Sequence, residues 1–161
     1  MENEIISGLD SYLSFRLGNE KFVVNIGYVK QILEMTTITK VPHTPDYYKG
    51  VINLFGDVLP VIDGRVKFNL EEKAYDKSTC IIVLMISSQD LTAKFGLIVD
   101  EVNAVVQIAD EQIKEPPEIG GKYKNELIHS IANVDSEFVI VLNVEVIFST
   151  DEITLVNPNQ P

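Results

Sequence analysis

The 161-residue sequence has no tryptophan, one cysteine and only two histidines. A single cysteine, Cys80, cannot form an internal disulfide, so an oxidising compartment offers this chain nothing. Cys80 sits in the apolar run "CIIVLMI", which points to a buried, inert thiol rather than a nucleophile. His43 and His129 are far apart and belong to no His-x-x-His or Cys-x-x-Cys arrangement, so no zinc-type ligand cluster exists. The sequence has no Gly-x-Gly-x-x-Gly, P-loop or Gly-x-Ser-x-Gly motif, and no cofactor is expected. Without tryptophan, the usual stacking platform for a sugar is missing.

Positive charge is also scarce. Thirteen Lys and Arg face 24 Asp and Glu, giving a formal net charge of −11. Such a surface repels nucleic-acid backbones and anionic membranes unless basic residues cluster, and they do not. No apolar run approaches the ~20 residues of a membrane-spanning helix. The N-terminal "MENEIISGLD" has no basic segment followed by an apolar one, so a signal peptide is not expected. These features predict a cytoplasmic protein with no direct membrane insertion.

Hydrophobic residues make up 45% of the chain, enough for a real core. Residues 1–10 and 150–161 read as flexible flanks around a folded domain at 11–149. "YLSFRLGNEKFVVNI" alternates as a hairpin turning at Gly18-Asn19. In "NIGYVKQIL", Ile26, Val29, Ile32 and Leu33 fall at helical spacing behind a possible Asn25 cap, which predicts a short helix. "TTITKVPHTPDYYKG" is β-branched and then broken by Pro42 and Pro45. "CIIVLMI" fits a strand covered on both faces. "AKFGLIVDEVNAVVQI" continues as strand, with a kink at Gly96. A loop with one helical turn precedes Pro116-Pro117. "LIHSIANVDSEFVIVLNV" predicts a hairpin turning near Asp135-Ser136, and "NVEVIFS" a short closing helix. Many short strands with turn signals every 8–12 residues indicate an all-β barrel or sandwich with few short helices. The strand-rich run is too long for one small barrel, which suggests two sharing a core.

"GVINLFGDVLPVIDGR" (50–65) poses the question of catalysis. Its "VIDG" resembles an acid-protease Asp triplet, but the middle hydroxyl residue is missing and no second copy exists. A small hydrolase using Asp57 and Asp63 is the alternative of a different class. Structural roles suffice for these carboxylates: Asp57 suits a turn, Asp63 a strand end or cap, and Asp100 a strand exit. Here Val51 to Phe55 predicts a strand, Gly56-Asp57 a type II′ turn, and Val58 to Ile62 the return, with Pro60 marking an edge or bulge.

The ordered set "FRLGNEKFVVNIGYVKQIL", "ITKVPHTPDYYKGVINLFGDVLPVIDGRVKF", "CIIVLMI", "FGLIVDEVNAVVQI", "EPPE" and "LIHSIANVDSEFVIVLNVEVIF" resembles the CheW-like domain across roughly residues 10–149. That domain occurs in chemotaxis coupling proteins and in the regulatory region of their partner kinase. The resemblance implies two interlocked five-stranded SH3-like barrels sharing a core and no catalytic site. It implies an adaptor, monomeric alone, that joins the cytoplasmic tip of a methyl-accepting chemoreceptor to the regulatory domain of the chemotaxis histidine kinase. An auxiliary or orphan scaffold serving a non-standard receptor or kinase is the runner-up.

The resemblance places receptor contact on the segment after the first hairpin and in the groove between the barrels. Here the corresponding residues are Val29, Gln31, Ile32 and Phe55. It places kinase contact at a barrel end carrying Ile38, Thr39, Lys40, Val41 and Pro45. This sequence departs from the family where Gln31 replaces a usual Glu, Phe55 replaces a usual Arg ("NLFG" for "NLRG") and Gly64 replaces a usual Leu. If the usual Glu and Arg pair, their joint loss leaves Gln31 and Phe55 as a neutral pair, and no stranded charge.

Overall fold

A computed structural model describes residues 9–87, 92–115 and 127–148. The expected flexible ends, apart from Leu9 and Asp10, and the Pro116-Pro117 part of the loop lie outside those residues, while the helical turn expected before it is the 3₁₀ turn Asp110–Gln112. The strands are β1 (Leu9–Leu17), β2 (Glu20–Asn25), β3 (Val29–Glu34), β4 (Tyr48–Leu54), β5 (Asp57–Asp63), β6 (Cys80–Ser87), β7 (Thr92–Val99), β8 (Glu101–Ala109), β9 (Ile113–Lys114), β10 (Ile128–Val134) and β11 (Glu137–Leu142). Two short helices, α1 (Gly64–Lys67) and α2 (Val144–Phe148), complete them.

The middle of the chain forms a five-stranded sheet in the order β3-β6-β7-β5-β4. The two ends form a six-stranded sheet, β8-β1-β2-β11-β10-β9, whose last member has two residues. β2 and β11 pair in parallel, so the N-terminal hairpin and the C-terminal half build one sheet around the inserted middle. This is the interlocking expected from the family. The first sheet curls closed where Thr39 and Val51 exchange backbone hydrogen bonds of 2.9 and 2.8 Å. Gly50 makes that approach possible: a Cβ there would lie 2.1 Å from the Thr39 carbonyl oxygen, and its φ is +143°.

Side-chain alternation explains the continuous apolar strands. On β6, Ile82 and Leu84 enter a cluster with Leu13, Phe15 and Leu17 of the other sheet. Ile81 and Val83 point the opposite way, into the five-stranded barrel with Ile52, Leu59 and Ile98. Both faces of β6 are therefore buried, one in a shared core and one in a barrel interior. A third cluster, Tyr12, Val23, Ile108, Val139 and Val141, fills the six-stranded side.

Three local expectations need correction. The helix expected over 26–33 is a single 3₁₀ turn, Ile26–Tyr28, followed by strand β3. Asn25 does cap it, its side chain accepting the Gly27 amide. Pairing with β6 overrides the helical apolar spacing. The turn of the 50–65 hairpin holds Phe55-Gly56 rather than Gly56-Asp57, with Leu54 paired to Asp57. Phe55 (φ +52°) and Gly56 (φ +90°) make it type I′, and the Asn53 side chain accepts the Gly56 amide. Gly96 does not break its strand; the chain leaves the sheet at Asp100, between β7 and β8.

The other turns and the closing helix match expectation. Asp135 and Ser136 both adopt positive φ in the last hairpin, and α2 follows it. Pro60 lies where β5 has only β4 beside it, because the β7 ladder starts at Val61. No helix among the described residues is long and apolar enough to cross a membrane.

Candidate functional site

Two grooves lie toward opposite ends of β4. The first holds about 860 Å³ and runs between the loop Lys40–Asp46 and the segment following α1. Lys40, Val41 and Pro45 line it together with Lys49, Val66, Leu70 and Glu72. Of the residues assigned to the kinase contact, these three are thus brought together. Ile38 instead packs on the barrel core, and Thr39 supplies the closing backbone bonds to Val51. His43 holds φ +64°, an uncommon conformation for a non-glycine residue, at the exposed bend of this loop. Lys49 crosses to Glu72, Nζ to Oε2, at 2.7 Å. That hydrogen bond from the ammonium holds the Glu72 carboxyl below its usual range.

The second groove, of about 420 Å³, is lined by Leu33, Glu34, Thr36 and the hairpin tip from Ile52 to Gly56. Phe55 stands on this tip 90% exposed, with Val58 67% exposed nearby in sequence. The receptor-assigned residues do not form one patch. Val29 and Gln31 are half-buried, with Val29 against the shared core, while Ile32 is exposed with Lys30 and Glu34. The expected Gln31–Phe55 pairing is not formed: a side chain this exposed is not packed on Gln31, which lies opposite Val83 in the β3–β6 ladder.

Between the two sheets lies a charge cluster that spacing alone did not single out. Asp100 accepts from Arg65 (Nη2 at 2.7 Å, Nε at 2.9 Å) and from the Gly18 amide at 2.8 Å. It therefore ties the β1–β2 turn of one sheet to the α1 segment of the other. Burial pushes the Asp100 carboxyl up, but the Arg65 and Gly18 hydrogen bonds with the Arg65 charge outweigh it and hold it below the usual range. Asp63 is buried, and one carboxylate oxygen caps α1 by accepting from the Arg65 and Val66 amides. Its other oxygen accepts the Tyr75 hydroxyl at 2.9 Å. Burial, then the bond to Asp63, pushes the Tyr75 phenol far up, keeping it protonated as the donor. Asp63 thus acts as a cap, as its local sequence suggested, whereas Asp57 opens β5 just past the turn rather than sitting within it.

Cys80 is half-buried at the start of β6, and burial raises its thiol pKa. Among the described residues, no group of three or more His, Cys, Asp or Glu side chains could hold a metal ion.

The sequence model of the CheW-like domain matches residues 11–152. The chemotaxis protein CheW of Klebsiella aerogenes is 34% identical over 146 residues, covering 91% of this chain and 86% of that protein. That of Bacillus subtilis is 29% identical over 160 residues, covering 99% of both. The crystal structure of the scaffolding protein TtCheW from Thermoanaerobacter tengcongensis superposes with a TM-score of 0.78 at 30% identity, covering 88% of this chain and 94% of that one. With its two interlocked sheets and a match over nearly its whole length, the chain belongs to the CheW-like domain family of non-enzymatic chemotaxis adaptors.

Proposed function

We propose that this chain, a chemotaxis adaptor coupling chemoreceptors to the histidine kinase CheA, engages its two partners through the two grooves separately. The larger groove, with Lys40, Val41 and Pro45 on one wall, takes the regulatory domain of the kinase. The smaller groove, with Leu33 on its wall and Phe55 at the hairpin tip, takes the cytoplasmic tip of a methyl-accepting receptor. The single observation that carries this reading is the placement of the grooves. Lys49 lines one and Asn53 the other, about 14 Å apart along β4 at strand rise. Partners docked at the two ends need not exclude each other, which is the geometric requirement of an adaptor.

An apolar knob beside a shallow groove suits the apolar stripe of a helical hairpin. A small apolar patch with a charged rim, as at Val41 and Pro45 among Lys40 and Lys49, suits a domain–domain contact. The adaptor works by position in the cytoplasm: receptor conformation biases the kinase because both are held on one rigid body. As a free protein it is monomeric, since a net charge of −11 opposes self-association.

The test is calorimetric titration with the kinase regulatory domain and a receptor tip from the same genome, singly and together. Micromolar binding to both, with a ternary complex, is expected. Mutual exclusion would refute two separate surfaces. Kinase binding without receptor binding would make the chain an auxiliary scaffold.

A further inference from the structure

Between α1 and β6 the chain runs through residues 69–79 with no strand or helix, and residues 71–78 are all exposed. Such a segment loses backbone entropy at every residue when ordered, so its order needs anchors. Four are present. At its start the Leu70 amide donates to the Arg65 carbonyl at 2.7 Å, and Arg65 Nη1 donates to the Glu71 carbonyl at 2.8 Å. In the middle Glu72 meets Lys49 of β4. Tyr75 donates to the second oxygen of buried Asp63. At the end, Asp76 accepts the Ser78 amide at 2.8 Å and Thr79 Oγ1 accepts the Asp76 amide at 2.9 Å, closing a compact turn.

The anchors differ in strength. Lys49–Glu72 is largely a surface pair, worth little in water. The Tyr75–Asp63 bond differs in that its acceptor is 4% exposed and already committed to capping α1. Withdrawing the hydroxyl leaves a buried carboxylate oxygen unpartnered, unless the segment moves away and admits water. Asn69, Leu70 and Glu72 of this same segment form the wall of the larger groove facing Lys40–Asp46.

We infer that residues 69–79 are a strap that pre-forms the docking groove, with Tyr75, acting through Asp63, as its positioning residue. This rests on the assignment of the groove to the kinase regulatory domain. A partner that finds the wall already in place avoids the cost of ordering it, and a released strap returns that cost to the binding step.

The test uses the full chain with Tyr75→Phe, which keeps the ring and removes only the hydroxyl, and Glu72→Gln, which cuts a surface anchor without burying anything. Hydrogen exchange of amides 70–78 and titration with the kinase regulatory domain are read together. Tyr75→Phe is expected to speed exchange of the hydrogen-bonded amides of Leu70, Asp76 and Ser78 at least tenfold, leave β6 and β7 amides unchanged, and weaken kinase binding about fivefold. Glu72→Gln is expected to shift both in the same direction by about twofold. Unchanged exchange in Tyr75→Phe overturns the strap. Faster exchange with unchanged affinity overturns its role in docking. A wild-type chain that does not bind the regulatory domain overturns the groove assignment, and with it the docking role, while faster exchange in Tyr75→Phe still supports the strap.

Discussion

Replacing Phe55 by Asn is expected to stabilise the protein and weaken its grip on the receptor at once. Phe55 occupies the first central position of a type I′ turn at φ +52°. A left-handed conformation costs a typical L-residue roughly 1–2 kcal/mol, and Asn escapes much of that through local hydrogen bonding. Asn before Gly is also the preferred type I′ pair. Against this stands lost burial. Phe55 is 90% exposed, so about a tenth of the ~200 Å² of an aromatic side chain is covered, worth ~0.5 kcal/mol at ~25 cal/mol per Å². The net is a gain of about 0.5 kcal/mol, or a melting temperature higher by about 1–2 °C in a chain of this size. Removing an aromatic anchor from an interface typically costs about 1–2 kcal/mol or more, which is about tenfold in affinity. Urea denaturation and titration with the receptor tip read the two effects separately. A loss of stability above ~0.5 kcal/mol would show that Phe55 packs into the fold, refuting the turn argument. Higher stability with unchanged receptor affinity would remove Phe55 from the interface.

The remaining predictions concern the joint, the closure, the Gln31–Phe55 pair and the thiol. Arg65→Ala leaves Asp100 without its partner in a site where both side chains are largely covered (16% and 14% exposed), and a loss of about 3–5 kcal/mol in urea melts is expected. The Asp100 carboxyl is depressed in the folded state, so its contribution is fully present above the ordinary aspartate range near pH 4. Stability should fall as pH drops through the lower folded value, and a charge-free joint (Arg65→Met with Asp100→Leu) should flatten that limb of the acid-denaturation curve. Gly50→Ala, whose Cβ would clash with the Thr39 carbonyl at positive φ, should cost more than the roughly 1–3 kcal/mol of φ strain alone, because the barrel must also open to clear the clash, whereas unchanged melting would mean the barrel closes without that approach. Phe55→Arg and Gln31→Glu should combine additively within ~0.5 kcal/mol, because the two side chains are not packed together; a larger coupling energy in the double-mutant cycle would show that positions 31 and 55 do meet. Cys80 should react slowly with an alkylating reagent at neutral pH and quickly in denaturant, since burial raises its thiol pKa.

Much of this architecture is legible along the chain because a strand's side chains alternate and turns demand particular residues. "YLSFRL-GN-EKFVV" and "FVIVL" after Asp135-Ser136 identify their hairpins without tertiary information. "CIIVLMI" announces a strand buried on both faces, and the shared core and barrel interior are those two faces. The last carboxylate of "GDVLPVIDG" is readable as a cap, and Asp63 does cap α1.

What tertiary structure decided is whatever local pattern left degenerate. Val29, Ile32 and Leu33 fall at helical spacing, yet the ladder to β6 made the segment a strand, which puts Ile32 on the exposed face and Val29 and Gln31 on the half-buried one. Gly56 can end a type I′ turn or begin a type II′ turn. Both registers send Ile52, Leu54 and Leu59 inward, so burial could not choose, and the turn that formed is the one in which Asn53 accepts the Gly56 amide. The Arg65–Asp100 joint and the Tyr75–Asp63 anchor link residues 35 and 12 positions apart. Charges at such separations carry no periodic signal; only chain closure brings them together. The sequence by itself determined most of the strands, most of the turns and the two-faced core; the closed fold turned the expected helix after Asn25 into β3 and determined which side chains share a groove.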